Sequence, residues 1–132
     1  MTPREARGSV SIIVAAGALL LALSALAVAD VGSMFVARDR AQTAADAAAL
    51  AAVGAQAPVL DQGDDPEAAA RDAAERNGAS LASCECEVGT TDATVEVNVV
   101  PKLGFLSGWF GRVVRATARA HLDPDVLTYR SD

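Results

Sequence analysis

Two cysteines, one histidine and a short run of acids are the side chains here whose types and spacing suggest chemistry. Cys84 and Cys86 stand two apart in a stretch of alternating polarity, so both face the same side of a strand. In a regular strand their Cα atoms would lie roughly 6.6 Å apart, near the upper limit for a disulfide. A bridge between them needs a local distortion, such as a bulge at Glu85. Buried free thiols, or bonds to a partner, are the alternatives. C-x-C offers no second ligand pair, and with a single histidine a zinc site is not expected. His121, beside Asp123, has no serine or cysteine placed to complete a triad, and reads as a solvated or capping residue. Asp61, Asp64, Asp65 and Glu67 lack the alternating oxygen ligands of a calcium loop and resemble no glycosidase pair. They read as a solvated loop. The residues thus point to no enzyme, no catalytic side chain, no cofactor, no metal and no small-molecule substrate.

The elements that carry these residues can be read from the pattern. Asp65-Pro66-Glu67 is a helix start, with an N-cap, a proline in the first turn and an acid at the positive helix end. Asn77-Gly78 ends that helix, which spans about 66–77 with Ala69, Ala70, Ala73 and Ala74 as its apolar stripe. Three strands follow. Leu81 to Val88 places Cys84, Cys86 and Val88 on one face and Glu85 and Glu87 on the other. Gly89-Thr90-Thr91-Asp92 is a hairpin turn. Ala93 to Val100 groups Val95, Val97 and Val99 against Glu96 and Asn98. Val113 to Leu122 groups Val114, Ala116, Ala118, Ala120 and Leu122 against Arg115, Thr117, Arg119 and His121. Glutamates on two strands and arginines on the third suit cross-strand pairing in an antiparallel sheet. The segment from Pro101 to Arg112 carries Phe105, Leu106, Trp109 and Phe110, and reads as a loop folded over the sheet edge in preference to an exposed contact loop.

Composition limits the core and the partners. The chain of 132 residues has room for one small domain plus an anchor. Apolar residues make up 52%, but aromatics only 4%, and alanine buries little area. The formal net charge is −6, and the part from residue 30 onward is the acidic one. An acidic surface without a basic patch argues against direct nucleic-acid binding.

From Gly8 to Ala29 no residue is charged, and Arg7 and Asp30 bound the run. As a helix those residues span roughly 33 Å, enough to cross the hydrocarbon core of a bilayer. Arg4 and Arg7 favour a cytoplasmic N-terminus, although Arg38 and Arg40 on the far side weaken that asymmetry. The rival reading is a cleavable signal peptide, since Ala27-Val28-Ala29 fits an A-x-A site before Asp30. Against it stands the continuing helix. Met34, Ala37, Ala41, Ala44, Ala45, Ala48, Ala52 and Ala55 recur at three- and four-residue steps, with Arg38, Asp39, Gln42 and Asp46 off that stripe. The small side chains of Ala41, Ala44, Ala45, Ala48 and Ala52 suit close packing of another helix, or of the chain's own C-terminal domain.

The order of these features resembles the TadE/TadG-like family. The resemblance rests on Arg7-Gly8-Ser9, the apolar run, Asp30-Val31-Gly32, and the Gln42-x-x-x-Asp46-Ala-Ala-Ala-Leu-Ala stretch. It covers about the first 55 residues and is closest to the small alanine-rich members of high-GC bacteria. It implies a pseudopilin-like component of a Flp (tight-adherence) pilus, or of a related secretion or DNA-uptake apparatus, with other pilin-like or Tad assembly proteins as partners. It also implies removal of a short basic leader between Gly8 and Ser9 by a prepilin peptidase. The fifth residue after that cut is Ile13, where many pilins carry glutamate, so a minor or anchoring component is expected rather than a major pilin.

The expected fold is α+β. A leader occupies 1–8, a transmembrane and protruding helix 9–57, and an exported domain with one short helix and a three-stranded antiparallel sheet 58–132.

Overall fold

A helix without an internal proline, and rich in alanine and leucine, has little reason to break. The computed structural model describes residues 5–56, 65–101 and 111–123, with side chains from Val10 onward among the first group. Helix α1 (Glu5–Gln56) runs unbroken for 52 residues, about 78 Å at the usual rise. It begins four residues earlier than the pattern implied, and Ala57, the last residue expected in it, lies outside the described residues. Glycine at 17, 32 and 54 leaves it intact; a Cβ at any of these would meet nothing within 4 Å.

Helix α2 (Pro66–Arg76) has the caps that its sequence announces. The Asp65 carboxylate accepts from the backbone N–H of Glu67 at 3.1 Å. At the other end Ala79 N–H donates to Ala74 C=O and Gly78 N–H to Glu75 C=O, the paired bonds of a Schellman stop. Gly78 takes φ +74 there, with the Arg40 side chain lying across it. The exposed face of α2 is laced by Arg71–Glu67 and Arg76–Asp72 pairs one turn apart.

Strands β1 (Ser80–Cys86), β2 (Asp92–Val99) and β3 (Val114–His121) form an antiparallel sheet in that order. Gly89 at φ +89 serves the β1–β2 turn, which closes through Thr90 N–H to Glu87 C=O. Val88 lies beyond β1 and is exposed, not part of the Cys84 face. Asp92 opens β2 rather than sitting in the turn. Along β2 the alternation is complete: Ala93, Val95, Val97 and Val99 are buried, and the residues between them are half-buried.

The inner face of the sheet, α2 and the upper half of α1 share one core. It is built largely of alanine. Ala37, Ala41, Ala44, Ala45, Ala48, Ala49 and Ala52 of α1 are essentially inaccessible to solvent. Met34 and Ala55, expected on this stripe, are only half-buried, whereas Val53 and Gln56 are buried. The helix phase explains this, because 49, 52, 53 and 56 continue the face set by 41, 45 and 48. Gln56 is 1% exposed, and neither polar atom of its amide has a hydrogen-bond partner among the described residues. A buried amide left unpaired carries its desolvation cost uncompensated, so Gln56→Met is expected to raise stability by about 1–3 kcal/mol. The check is a denaturant midpoint that moves up with its slope unchanged.

Candidate anchor and assembly surface

The apolar run is exposed on every side of α1. From Val10 to Ala29 each residue is solvent-accessible, including Ile12, Ile13, Leu19, Leu20, Leu21, Leu23 and Leu26. A helix that is apolar all round and covered by nothing of its own chain belongs in a membrane or against a partner. By length and composition this helix is able to cross a bilayer. Ser24, the polar intruder, donates its hydroxyl back to Leu20 C=O at 2.8 Å, so its O–H is satisfied within the helix.

The alanines expected on the packing stripe are buried within the chain. Ala41, Ala44, Ala45, Ala48 and Ala52 lie under α2 and the sheet. The face left outward on the upper half of α1 is different. Gln42 donates to Asp46 at 3.1 Å on an exposed surface, and Leu50 is 68% exposed nearby in sequence. Asp30 is half-buried just past the apolar run, and its C=O accepts from the Ser33 hydroxyl at 2.7 Å. Gly32 is open to solvent. Gly8 and Ser9 lie in the first turns of α1, and their side chains fall outside the described residues. So do Asp61, Asp64, Phe105, Leu106, Trp109 and Phe110.

Cys84 and Cys86 are joined in a disulfide, with Cα atoms 5.3 Å apart. The strand has contracted relative to the regular spacing. The irregularity in pairing falls at Ala82, between Leu81 and Ser83, and not at Glu85, which keeps its register opposite Thr94. Both cysteines are half-buried and pack against the core.

Charge pairing across the sheet also differs from expectation. Because β2 separates β1 from β3, Glu85 and Glu87 do not reach the arginines. Arg115 lies 3.9 Å from Glu96. Arg119 donates to Asp92 at 3.0 Å, and His121 Nδ1 is 3.2 Å from the same carboxylate oxygen. The register places Asp92 directly opposite His121 and diagonal to Arg119. The hydrogen bond from Arg119 holds the Asp92 carboxyl below its usual pKa, aided by the charges of Arg119 and His121 and opposed by partial desolvation. A depressed carboxylate pKa stabilises the fold above the ordinary aspartate range, and that gain is lost as pH falls through the depressed value. Asp92→Asn is therefore expected to lower the melting temperature at about pH 7 and to converge on the parent once the pH has fallen through the depressed value of Asp92. Melting curves across that range check it. A gap between the two proteins that persists unchanged in acid counts against the pairing.

What the geometry defines is a single-helix rod, bare and apolar at one end and capped by a small α+β layer at the other. Residues 8–57 match the model of the Tad family, described as Flp pilus-assembly TadE/G-like. The matched stretch takes in the whole apolar run and the alanine stripe, and stops where α1 ends. No curated protein and no solved structure matches the chain.

Proposed function

We propose that this protein is a membrane-anchored, pseudopilin-like component of a Flp-type pilus or a related envelope apparatus, with a structural rather than a catalytic role. The observation that carries the reading is the coincidence of the family match with one continuous helix that is exposed and apolar below Asp30 and buried under its own domain above it. Residues 1–8 act as a cytoplasmic leader, 9–57 as anchor and stalk, and 58–132 as the extracytoplasmic domain. Its partners are other pilin-like or Tad assembly proteins. Since the alanine stripe is occupied internally, assembly uses the lower helix and the outward face of α1 that carries Gln42, Asp46 and Leu50.

The alternative is a secreted small binding protein freed by cleavage after Ala29, and one observation favours it. Every buried residue described in α1 lies at Ala37 or beyond, so a chain starting at Asp30 keeps its core. Intact mass and N-terminal sequencing of the protein recovered from cell envelopes and from the medium separate the two. An uncut chain, or a start at Ser9, is expected in the envelope. A start at Asp30 overturns the anchor.

A further inference from the structure

Arginines of α1 and of the start of β3 gather at one end of the exported domain. The pairing register puts Val99 and Val114 at the end of the sheet nearest the apolar run, and Asp92 and His121 at the far end. Arg38, Arg40, Arg112 and Arg115 therefore lie at the near end, with Asp30 and Asp39 as the acids of that stretch of α1 and Glu96 3.9 Å from Arg115. Glu85, Glu87 and Asp92 lie at the far end, where Arg119 and His121 pair with Asp92. The protein as a whole is acidic, yet it turns a basic rim toward the membrane side.

Two grooves open on this rim, one on each flank of α1. One, of 450 Å³, is lined by Val31, Met34 and Phe35 of α1 and by Val113 and Val114 at the start of β3, together with Arg38 and Arg115. The other is lined by Ala29, Ser33, Val36 and Arg40 with Val99, Val100 and Pro101. Their depth follows from helix rise. Val31 to Phe35 stand about 3–9 Å above Ala29, the last residue of the uncharged run. The headgroup layer is about 5–8 Å thick on each side of the hydrocarbon core. Arg38 lies one turn further up, about 13 Å above Ala29. Side chains on a helix lean toward its N-terminus, which here is the membrane, so Arg38 reaches down into that layer. The result is an apolar floor within the headgroup layer, with the Arg38 guanidinium reaching down to it from above.

We propose that the groove between α1 and the start of β3, bearing Arg38 and Arg115, binds the headgroup of an anionic phospholipid and seats the exported domain on the membrane surface. This rests on α1 spanning the bilayer. Charge complementarity names the occupant: Phe35 is 70% exposed beside two cations, a combination that suits an anionic amphiphile. It also gives a role to basic residues on the exported side, where an orientation rule alone leaves them without one.

The test uses the full-length chain with its disulfide intact, in nanodiscs of phosphatidylcholine with and without phosphatidylglycerol. Nitroxides are attached to Val113→Cys at the rim, Val88→Cys at the far end and Leu20→Cys within the apolar run. Collision with oxygen and with a water-soluble nickel chelate reports depth. Competition between spin-labelled lipids reports headgroup preference. The Val113 label is expected to be shielded from the chelate but open to oxygen, unlike the Val88 label. Phosphatidylglycerol is expected to be preferred by about fivefold for each arginine, and Arg38→Gln with Arg115→Gln is expected to abolish the preference while the chain stays folded. Absence of that preference in the parent overturns the proposal. So does a Val113 label as open to the chelate as the Val88 label while the Leu20 label is shielded. A Val113 label closed to both probes means that protein, such as a second copy, covers the groove, which also overturns it. A Leu20 label open to the chelate sinks the spanning helix itself.

Discussion

Replacing Ala48 with leucine is expected to destabilise the α+β domain by about 1–3 kcal/mol, the cost of forcing extra carbon into a packed interior. For a domain of this size that lowers the melting temperature by roughly 5–20 °C. Ala48 is fully buried in a core made chiefly of alanine and valine. Small side chains let α1, α2 and the sheet approach closely, which leaves no slack for a branched one. Leu50, two residues on, is 68% exposed, and Leu50→Ala is expected to move stability by no more than about 0.5 kcal/mol. Calorimetry of both variants in detergent decides the matter. If Leu50→Ala costs as much as Ala48→Leu, the domain uses the opposite face of α1 and the packing described above is wrong.

An arginine at Leu19 is expected to release the protein from the membrane without unfolding its domain. Leu19 sits near the middle of the uncharged run and is exposed. Exchanging a leucine for an arginine at the centre of a spanning helix costs about 3–4 kcal/mol of insertion free energy. The buried residues of α1 begin eighteen positions later, at Ala37, so the core does not sense the change. The fraction of Leu19→Arg left in alkali-washed membranes is expected to fall sharply, while Leu19→Phe stays at the parent level. Equal retention of Leu19→Arg and the parent would mean that this segment does not cross the bilayer.

Local signals in the sequence translated into structure where the chain's own neighbours decide the outcome. The Asp65-Pro66 start and the Gly78 stop fixed α2 within a residue, because capping uses atoms only a few positions apart. The alternation through Val95, Val97 and Val99 fixed the inner face of β2. Long-range pairing was not legible in this way. Asp92 read as a turn residue, since nothing local announces that His121 stands opposite it or that Arg119 reaches its carboxylate. The same holds for the irregularity at Ala82, which lies in the pairing of β1 with β2 and two residues before Cys84. The alanine stripe was visible as a packing surface, but its occupant depended on where the sheet folds back. Gln56 went unnoticed for the opposite reason. A glutamine in a buried position breaks the polarity pattern that sequence reading relies on.

One further property follows from the unbroken course of α1 through Asp30. The stretch between the apolar run and the first buried alanine holds no hinge, so the apolar face and the domain share one helical phase. A single residue inserted between Asp30 and Val36 turns one against the other by about 100°, whereas seven inserted residues bring them back to within about 20°. Whatever meets the lower helix thereby sets the compass bearing of the domain above it.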